Sequence, residues 1–368
     1  MPNTLHILHI STATSWRGGE QQAAYLAEEL KAAGIRQTIF CVAGGEFAKR
    51  MRTTGLTVIT AQKSFSTNPA FASKLARTAR KVGATVMHCH DSHALSFGYM
   101  ATTLFRNKIP LVASRRINIP IGKGFFSLKK YRHPIVGRIL CVSNAIRDMV
   151  RPSLDHPEVA QTVYSGIDLK RYRPDSAPGK LRKQLEISPD VPLVGTVAAL
   201  AELKDYPTWL QTVHQLVNDG CKAHFVMVGD GPMKAEITAL RDELQLQEHV
   251  SMIGFRNDVP DLLPELDVLL FTSKSEGLGT TLSDTLASGT PIVTTRAGGI
   301  PEVIPEGEHV GLLADVGDAN TLASHVQRLL NDASLREQLR NNGLERAKQF
   351  SKEEMARQTL AVYRELCL

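Results

Sequence analysis

The sequence has no C-x-x-C pair and no G-x-G-x-x-G fingerprint, and no apolar run approaches the roughly 20 residues that a membrane-spanning helix needs. Each absence removes a class. The five cysteines (Cys41, Cys89, Cys141, Cys221, Cys367) are odd in number and scattered, so neither a disulfide framework nor a zinc cage is indicated. A reducing cytoplasm fits best. The opening Met1-Pro2-Asn3-Thr4-Leu5 lacks a basic n-region and a long apolar h-region, so no secretory signal is visible. Without the glycine fingerprint, dinucleotide-cofactor binding is unsupported. Hydrophobic residues at 43%, with 27 Gly and 18 Pro, exclude a disordered or collagen-like chain.

What is present is 368 residues, enough for two full cores. The net charge of +6 hides an asymmetry. Residues 1–174 carry 25 Lys and Arg against 9 Asp and Glu, while residues 175–368 carry 18 against 28. Such a split predicts two domains with different partners, and the basic half suits an anionic partner or a solvated positive face.

Short apolar runs alternate with helical patterns throughout. Leu5–Ile10, Thr38–Val42, Thr85–Cys89, Leu111–Ala113 and Ile139–Val142 read as strands in the first half. Leu193–Ala198, His224–Val228, Val268–Phe271, Ile292–Thr294 and Gly311–Leu313 do so in the second. Helical patterns fall between them. The alternation predicts parallel sheets covered on both faces, with ligands bound beyond the carboxyl ends of the strands. The segment Tyr172-Arg173-Pro174-Asp175-Ser176-Ala177-Pro178-Gly179-Lys180 reads as a linker. The boundaries are therefore 1–174, 175–350 and a final helix over 351–368, and the expected outcome is two α/β halves facing each other across a cleft.

The segment from Ser273 to Asp284 follows an apolar strand and opens a helix. Gly277 and Gly279 allow close approach of a ligand to the backbone. The free N–H groups and the dipole of a helix start favour an anion such as a diphosphate. Glu276 and Asp284 flank this cradle; carboxylates cannot hold phosphate but suit sugar and ribose hydroxyls. The bland alternative is a helix cap and a surface aspartate.

With Ala287-Ser288-Gly289-Thr290-Pro291 next in line, this block resembles the signature of the retaining glycosyltransferases of the group 1, family 4 type. Val228–Pro232, Ile253–Pro260, Ser165–Asp168 and Arg17-Gly18-Gly19-Glu20 match further blocks in order. The resemblance implies a glycosyltransferase B fold, that is, two Rossmann-like parallel-sheet domains. It implies an N-terminal acceptor-binding domain, a C-terminal nucleotide-sugar-binding domain, and a last helix crossing back to the N-terminal domain. It implies catalysis without a metal or other cofactor, by stabilisation of charge on the departing diphosphate.

The resemblance also distributes roles. His90, Glu276 and Lys204 are the candidate catalytic residues. Gly18, Gly19, Phe255, Arg256, Gly277, Leu278, Gly279, Thr280, Thr281 and Asp284 are candidate donor-binding residues. Two positions depart from the pattern: Asp284 stands for a ribose-binding Glu, and Ala199 for a diphosphate-binding Arg, leaving Arg256 as a candidate substitute cation. His88-x-His90 resembles a metal-ligand pair, yet no third ligand is near it in sequence.

Arg115, Arg116, Lys123, Lys129, Lys130 and Arg132 lie together with Phe125 and Phe126 interleaved and no acid among them. This stretch predicts an acceptor-binding or anionic membrane surface, or else a solvated loop. Nucleic acid is not expected, for no recognition helix or zinc finger is visible. The reading is a transferase that moves a hexose-type sugar from a UDP- or GDP-linked donor to a hydroxyl of a glycan or lipid-linked acceptor. Its place is bacterial envelope polysaccharide or lipopolysaccharide synthesis, in the cytoplasm or on the inner face of the membrane. A catalytically weak binding paralogue and a nucleotide-sugar 2-epimerase are the alternatives.

Overall fold

The computed structural model describes residues 5–63, 68–122, 124–174 and 179–367. The chain divides into two compact units, Met1–Gly166 with Lys352–Leu368, and Ile167–Ser351.

The first unit is built on a sheet of β1 (His6–Ser11), β2 (Arg36–Val42), β3 (Thr57–Ala61), β4 (Val86–Cys89), β5 (Leu111–Arg115), β6 (Val136–Cys141) and β7 (Ala160–Thr162). Their order in space is β3-β2-β1-β4-β5-β6-β7, with parallel pairing throughout. Central strands of such a sheet are covered on both faces, which is why β1 and β4 are buried at every position. The second unit repeats the plan with β8 (Leu193–Val197), β9 (His224–Val228), β10 (Val250–Met252), β11 (Val268–Phe271), β12 (Ile292–Thr295) and β13 (Leu312–Ala314). Its order is β10-β9-β8-β11-β12-β13.

In both sheets the strand order reverses at one place, between β1 and β4 and between β8 and β11. Loops leaving the carboxyl ends of these strands diverge to opposite faces, so each reversal leaves an opening for a ligand. Strands β3, β7 and β10 escape the sequence reading. The last two have three residues each, and β3 is an edge strand whose pattern, exposed and half-buried before a single buried residue, shows no clear apolar period.

The core of the second unit centres on Trp209, Tyr206 and Phe225, and the Trp209 indole N–H donates to the Leu270 carbonyl at 3.1 Å. In the first unit Ile7, Tyr25 and Leu26 pack against Met355, Val362 and Tyr363 of the final helix, Lys352–Glu365. That helix lies close: a Cβ on Gly166 would stand 2.6 Å from the Lys352 Cα. The boundary at Gly166 precedes the proline-bearing stretch, whose residues 175–178 lie outside the described residues.

Candidate active site

In the second unit, β8 and β11 each end in a loop that carries a charged residue. After β8 the chain forms a short 3-10 turn, Glu202–Lys204, and then Asp205 takes left-handed backbone angles (φ 52°, ψ 52°). Buried Asp205 accepts from the Thr208 hydroxyl at 2.7 Å and pairs with Lys274 at 3.0 Å, tying the loop to the one after β11. The Thr272 hydroxyl donates to the carbonyls of both Lys204 and Asp205. These ties place the Lys204 ammonium on Glu276 Oε1, although 72 residues separate them in sequence. Ser273 Oγ donates to the same oxygen at 2.8 Å. The ammonium also lies 5.0 Å from the centre of the Phe271 ring. Both side chains are mostly sheltered, so the pair is only weakly screened.

Gly279 follows Glu276 closely and takes φ 87°, a left-handed angle that a side chain would strain. It caps the helix Thr280–Ala287, whose first amides are free of intrahelical partners. Leu278 points inward and is almost wholly buried, so only its backbone is available to a ligand. Asp284 is half-buried on this helix, accepts a hydrogen bond from the Tyr172 hydroxyl, and has Arg171 nearby. Burial outweighs both and pushes its carboxyl up to about 8.

Ala199 is exposed. Its neighbours are locked: the Leu200 amide donates to the Asp230 carbonyl, and the Gly229 amide to the Gly254 carbonyl. A Cβ on Gly229 would fall 1.8 Å from the Ala198 carbonyl oxygen. The Gly229-Asp230-Gly231 turn therefore exists to let two loops touch. Phe255 is 70% exposed. Arg256 forks onto Asp258 at 2.8 and 2.6 Å and donates to Gln184 at 2.7 Å. As a substitute for the cation absent at 199, Arg256 is thus already taken up, by Asp258 in its own loop and by Gln184.

In the first unit the helix Gly18–Ala32 begins at the paired glycines, and Glu20 accepts from the Arg17 amide at 2.9 Å. Gly18 has open space around its α-carbon, and Gly19 lies beside Arg116. His90 follows β4 and is buried. Its Nε2 meets His9 Nδ1 at 2.9 Å, and Arg116 donates to its carbonyl at 2.6 Å and to its Nδ1 at 3.2 Å. The sequence reading found no third partner for His88 and His90; β1 supplies one, with His9 in register with His88. Ring nitrogens of His9, His88 and His90 lie within 4.8 Å of one another. Each imidazole is engaged at both nitrogens. His88 meets Tyr363 Oη and Ser114 Oγ, His9 meets Gln37 and His90, and His90 meets His9 and Arg116. Burial lowers all three below the ordinary histidine range.

The basic stretch does not form one surface. Arg115 ends β5 and is buried, donating to the Ile119 carbonyl. Lys130 is buried as well, its ammonium donating to Ser92 O, Ser92 Oγ and Ser96 Oγ at 2.8–3.0 Å. Arg116 is half-buried against His90. These three leave the predicted surface because the fold turns them toward internal acceptors: a backbone carbonyl for Arg115, the carbonyl and ring of His90 for Arg116, and a carbonyl and two hydroxyls for Lys130. Lys129 and Arg132 are exposed on the helix Phe125–Arg132, which also carries Phe126, 78% exposed; Arg132 donates to the Ser153 carbonyl at 2.9 Å and pairs with Asp155 at 3.3 Å. Lys123 lies outside the described residues. Among the described residues no helix is long and apolar enough to cross a membrane.

Two family models match this chain: "Glycosyl transferases group 1" over residues 179–346 and "Glycosyltransferase Family 4" over 16–171. The N-acetyl-alpha-D-glucosaminyl L-malate synthase of Bacillus anthracis is 29% identical over 310 residues, 80% of this chain and 78% of that protein. The lipopolysaccharide core biosynthesis glycosyltransferase LpsE of Rhizobium meliloti is 31% identical over 173 residues, about half of each (47% and 49%). Anabaena HepE, solved in complex with UDP, superposes with a TM-score of 0.86 at 20% identity over 98% of this chain and all of that one. A Rickettsia africae glycosyltransferase gives 0.86 at 19% identity, covering 99% of both.

Proposed function

This chain belongs to the group 1 glycosyltransferases, with an N-terminal unit of the family 4 type and the two-Rossmann B fold, and from that premise we propose that it transfers a hexose-type sugar from a nucleotide-sugar donor to a hydroxyl acceptor with retention at the anomeric carbon. The observation that carries this reading is the Lys204–Glu276 pair held at the start of the Thr280–Ala287 helix. A transition state with oxocarbenium character releases a diphosphate, so the site must hold sugar hydroxyls and a growing anion side by side.

Glu276 offers acceptor lone pairs to the sugar hydroxyls. Lys204 bonds that same carboxylate and keeps further N–H donors for the phosphate. The amides from Gly277 to Thr281 hold the diphosphate as backbone donors. Asp284 faces the ribose, and Phe255 and Arg256 border the base. None of these roles calls on a metal or cofactor. UDP and UDP-glucose complexes of HepE support a uridine nucleotide as the first donor to try.

The relatives that act in lipopolysaccharide core and undecaprenol-linked glycan assembly support an envelope glycan or lipid-linked acceptor. Phe126 with Lys129 and Arg132 supports attachment of the first unit to an anionic inner membrane face. A second reading, a catalytically weak binding paralogue, is favoured by exposed Ala199 and by the capture of Arg256 by Asp258.

Calorimetry with UDP and GDP, followed by a nucleotide-release screen over UDP-glucose, UDP-galactose, UDP-N-acetylglucosamine and GDP-mannose, tests the proposal. Binding of one nucleotide and release from its sugar conjugate support it. Binding without turnover selects the paralogue, and release of a rearranged free sugar selects the epimerase.

A further inference from the structure

A hydrogen-bonded chain runs through the first unit from one strand to the next. Gln37 of β2 donates its amide Nε2 to the Ala27 carbonyl at 2.8 Å, and its Oε1 meets His9 Nε2 at 3.1 Å. His9 Nδ1 meets His90 Nε2 at 2.9 Å, and His90 Nδ1 meets Arg116 Nη2 at 3.2 Å. Gln37, His9 and His90 are each at least nine-tenths buried. No water competes for these groups, so every proton must have one place.

The two ends fix the direction. A carbonyl can only accept, so the Gln37 NH2 group faces Ala27 and its oxygen faces His9. An amide oxygen also only accepts, so His9 carries its proton on Nε2. Burial holds His9 at about 4, which leaves its Nδ1 bare at neutral pH. His90 Nε2 must then donate to it, and with His90 neutral too, His90 Nδ1 is bare. At the far end stands a guanidinium, which is lowered to about 10 but still charged and can only donate. The assignment from the carbonyl end and the assignment from the guanidinium end agree at every link. All four bonds run the same way, from Arg116 to Ala27, so each polarises the next.

The geometry points to Gln37 and His9 as positioning residues: they place the proton on His90 Nε2 and so leave Nδ1 as the acceptor that seats Arg116 at the carboxyl end of the sheet. The His90 carbonyl completes the seat. With the other tautomer, two N–H groups would meet head-on and the guanidinium would be pushed off the ring. Neither Gln37 nor His9 reaches the loops that carry the candidate site; they act through His90. The order of protons follows from this chain's own hydrogen bonds, and only the kinetic consequence rests on the transferase reading.

The test is the proton order itself. In the full chain labelled with 15N-histidine, two-bond 1H–15N correlation at pH 7.5 distinguishes bare from protonated ring nitrogens. His9 and His90 are assigned by the loss of their signals in His9→Asn and His90→Asn. Both rings are expected neutral with the proton on Nε2. A proton on Nδ1 of either, or a charged ring, overturns the proposal without any variant having to be active. Gln37→Leu removes the acceptor of the His9 Nε2–H and leaves Arg116 alone to select the tautomer, so His9 is expected to populate its Nδ1-protonated form in part and to carry His90 with it. It should lower nucleotide release from the donor the wild type uses by on the order of tenfold or more, while the Kd for UDP stays within about twofold. Gln37→Glu should recover both readouts, because a buried neutral glutamic acid accepts from His9 and donates to Ala27 as the amide does. Unchanged tautomers and turnover in Gln37→Leu would refute the relay. Absence of nucleotide binding in the wild type would instead refute the transferase reading and leave the relay standing on its spectra.

Discussion

Lys204 Nζ and Glu276 Oε1 form an ion pair across two loops that leave neighbouring strands, and Ser273 Oγ donates to the same oxygen. The pair sits where the strand order of the second sheet reverses, between β8 and β11. A lysine bound to one acidic oxygen keeps donors for a second anion, which makes this arrangement more than a structural tie.

Glu276→Gln should cut turnover by about 10–150-fold, the value of a charge-assisted hydrogen bond, with unaltered circular dichroism and near-native melting. An amide accepts less strongly from two hydroxyls and no longer balances Lys204. The UDP Kd should hold or tighten slightly, since Lys204 is freed. Wild-type turnover at saturating donor would assign the carboxylate to structure alone.

Ala199→Arg should tighten binding of UDP or GDP by roughly 10–150-fold, or about 1.5–3 kcal/mol. Position 199 is exposed, so a long side chain is accommodated, and Arg256 is held by Asp258 and Gln184. Turnover should rise less than affinity, because a tighter product leaves more slowly. Calorimetry of both proteins decides; weaker binding by the variant would mean that another cation already occupies the space.

Asp284 gives a pH dependence of defined sign. Its carboxyl is raised to about 8, so the folded chain binds a proton that the unfolded chain has released above the ordinary aspartate range. Stability from this group is fully present below pH 4 and is lost as pH rises toward and through 8. Asp284→Asn mimics the neutral form and should melt several °C above wild type at pH 9 but nearly level with it at pH 4. Scanning calorimetry of both proteins at the two values tests this, and a variant less stable than wild type at pH 9 would contradict the raised pKa.

Membrane attachment should depend on exposed residues only. Phe126→Ser with Arg132→Gln should shift the protein from phosphatidylglycerol vesicles to the supernatant by several-fold at low salt. High salt should release the wild type too, at about 1 kcal/mol for each basic residue near the surface. Lys130→Gln should leave sedimentation unchanged and lower the melting temperature instead, because its three oxygen partners lose their donor. Equal recovery in the supernatant at both salt concentrations would reduce the patch to a solvated face.

Much of the architecture was written in local pattern. Apolar runs alternating with helical stretches are enough to specify covered parallel sheets, because each strand must bury both faces. The run Glu276-Gly277-Leu278-Gly279 announces a strand-to-helix turn, since Gly279 needs a left-handed angle and the helix after it needs a start. Such features depend on neighbours in the chain and are legible there.

What decided the rest was strand order, which local pattern does not encode. His9 and His90 lie 81 residues apart and share a hydrogen bond because β1 and β4 are adjacent. Gln37 joins them from β2, and nothing around it in sequence distinguishes it from any other polar residue at the start of a strand. The run of basic residues from Arg115 to Arg132 shows the converse. It is uniform as a sequence, yet Arg115 and Lys130 are buried against internal acceptors, while Arg132 stays exposed and meets the Ser153 carbonyl and the Asp155 carboxylate. A side chain's charge is a property of its type; whether that charge meets solvent, a carbonyl or a carboxylate is a property of what the fold brings beside it.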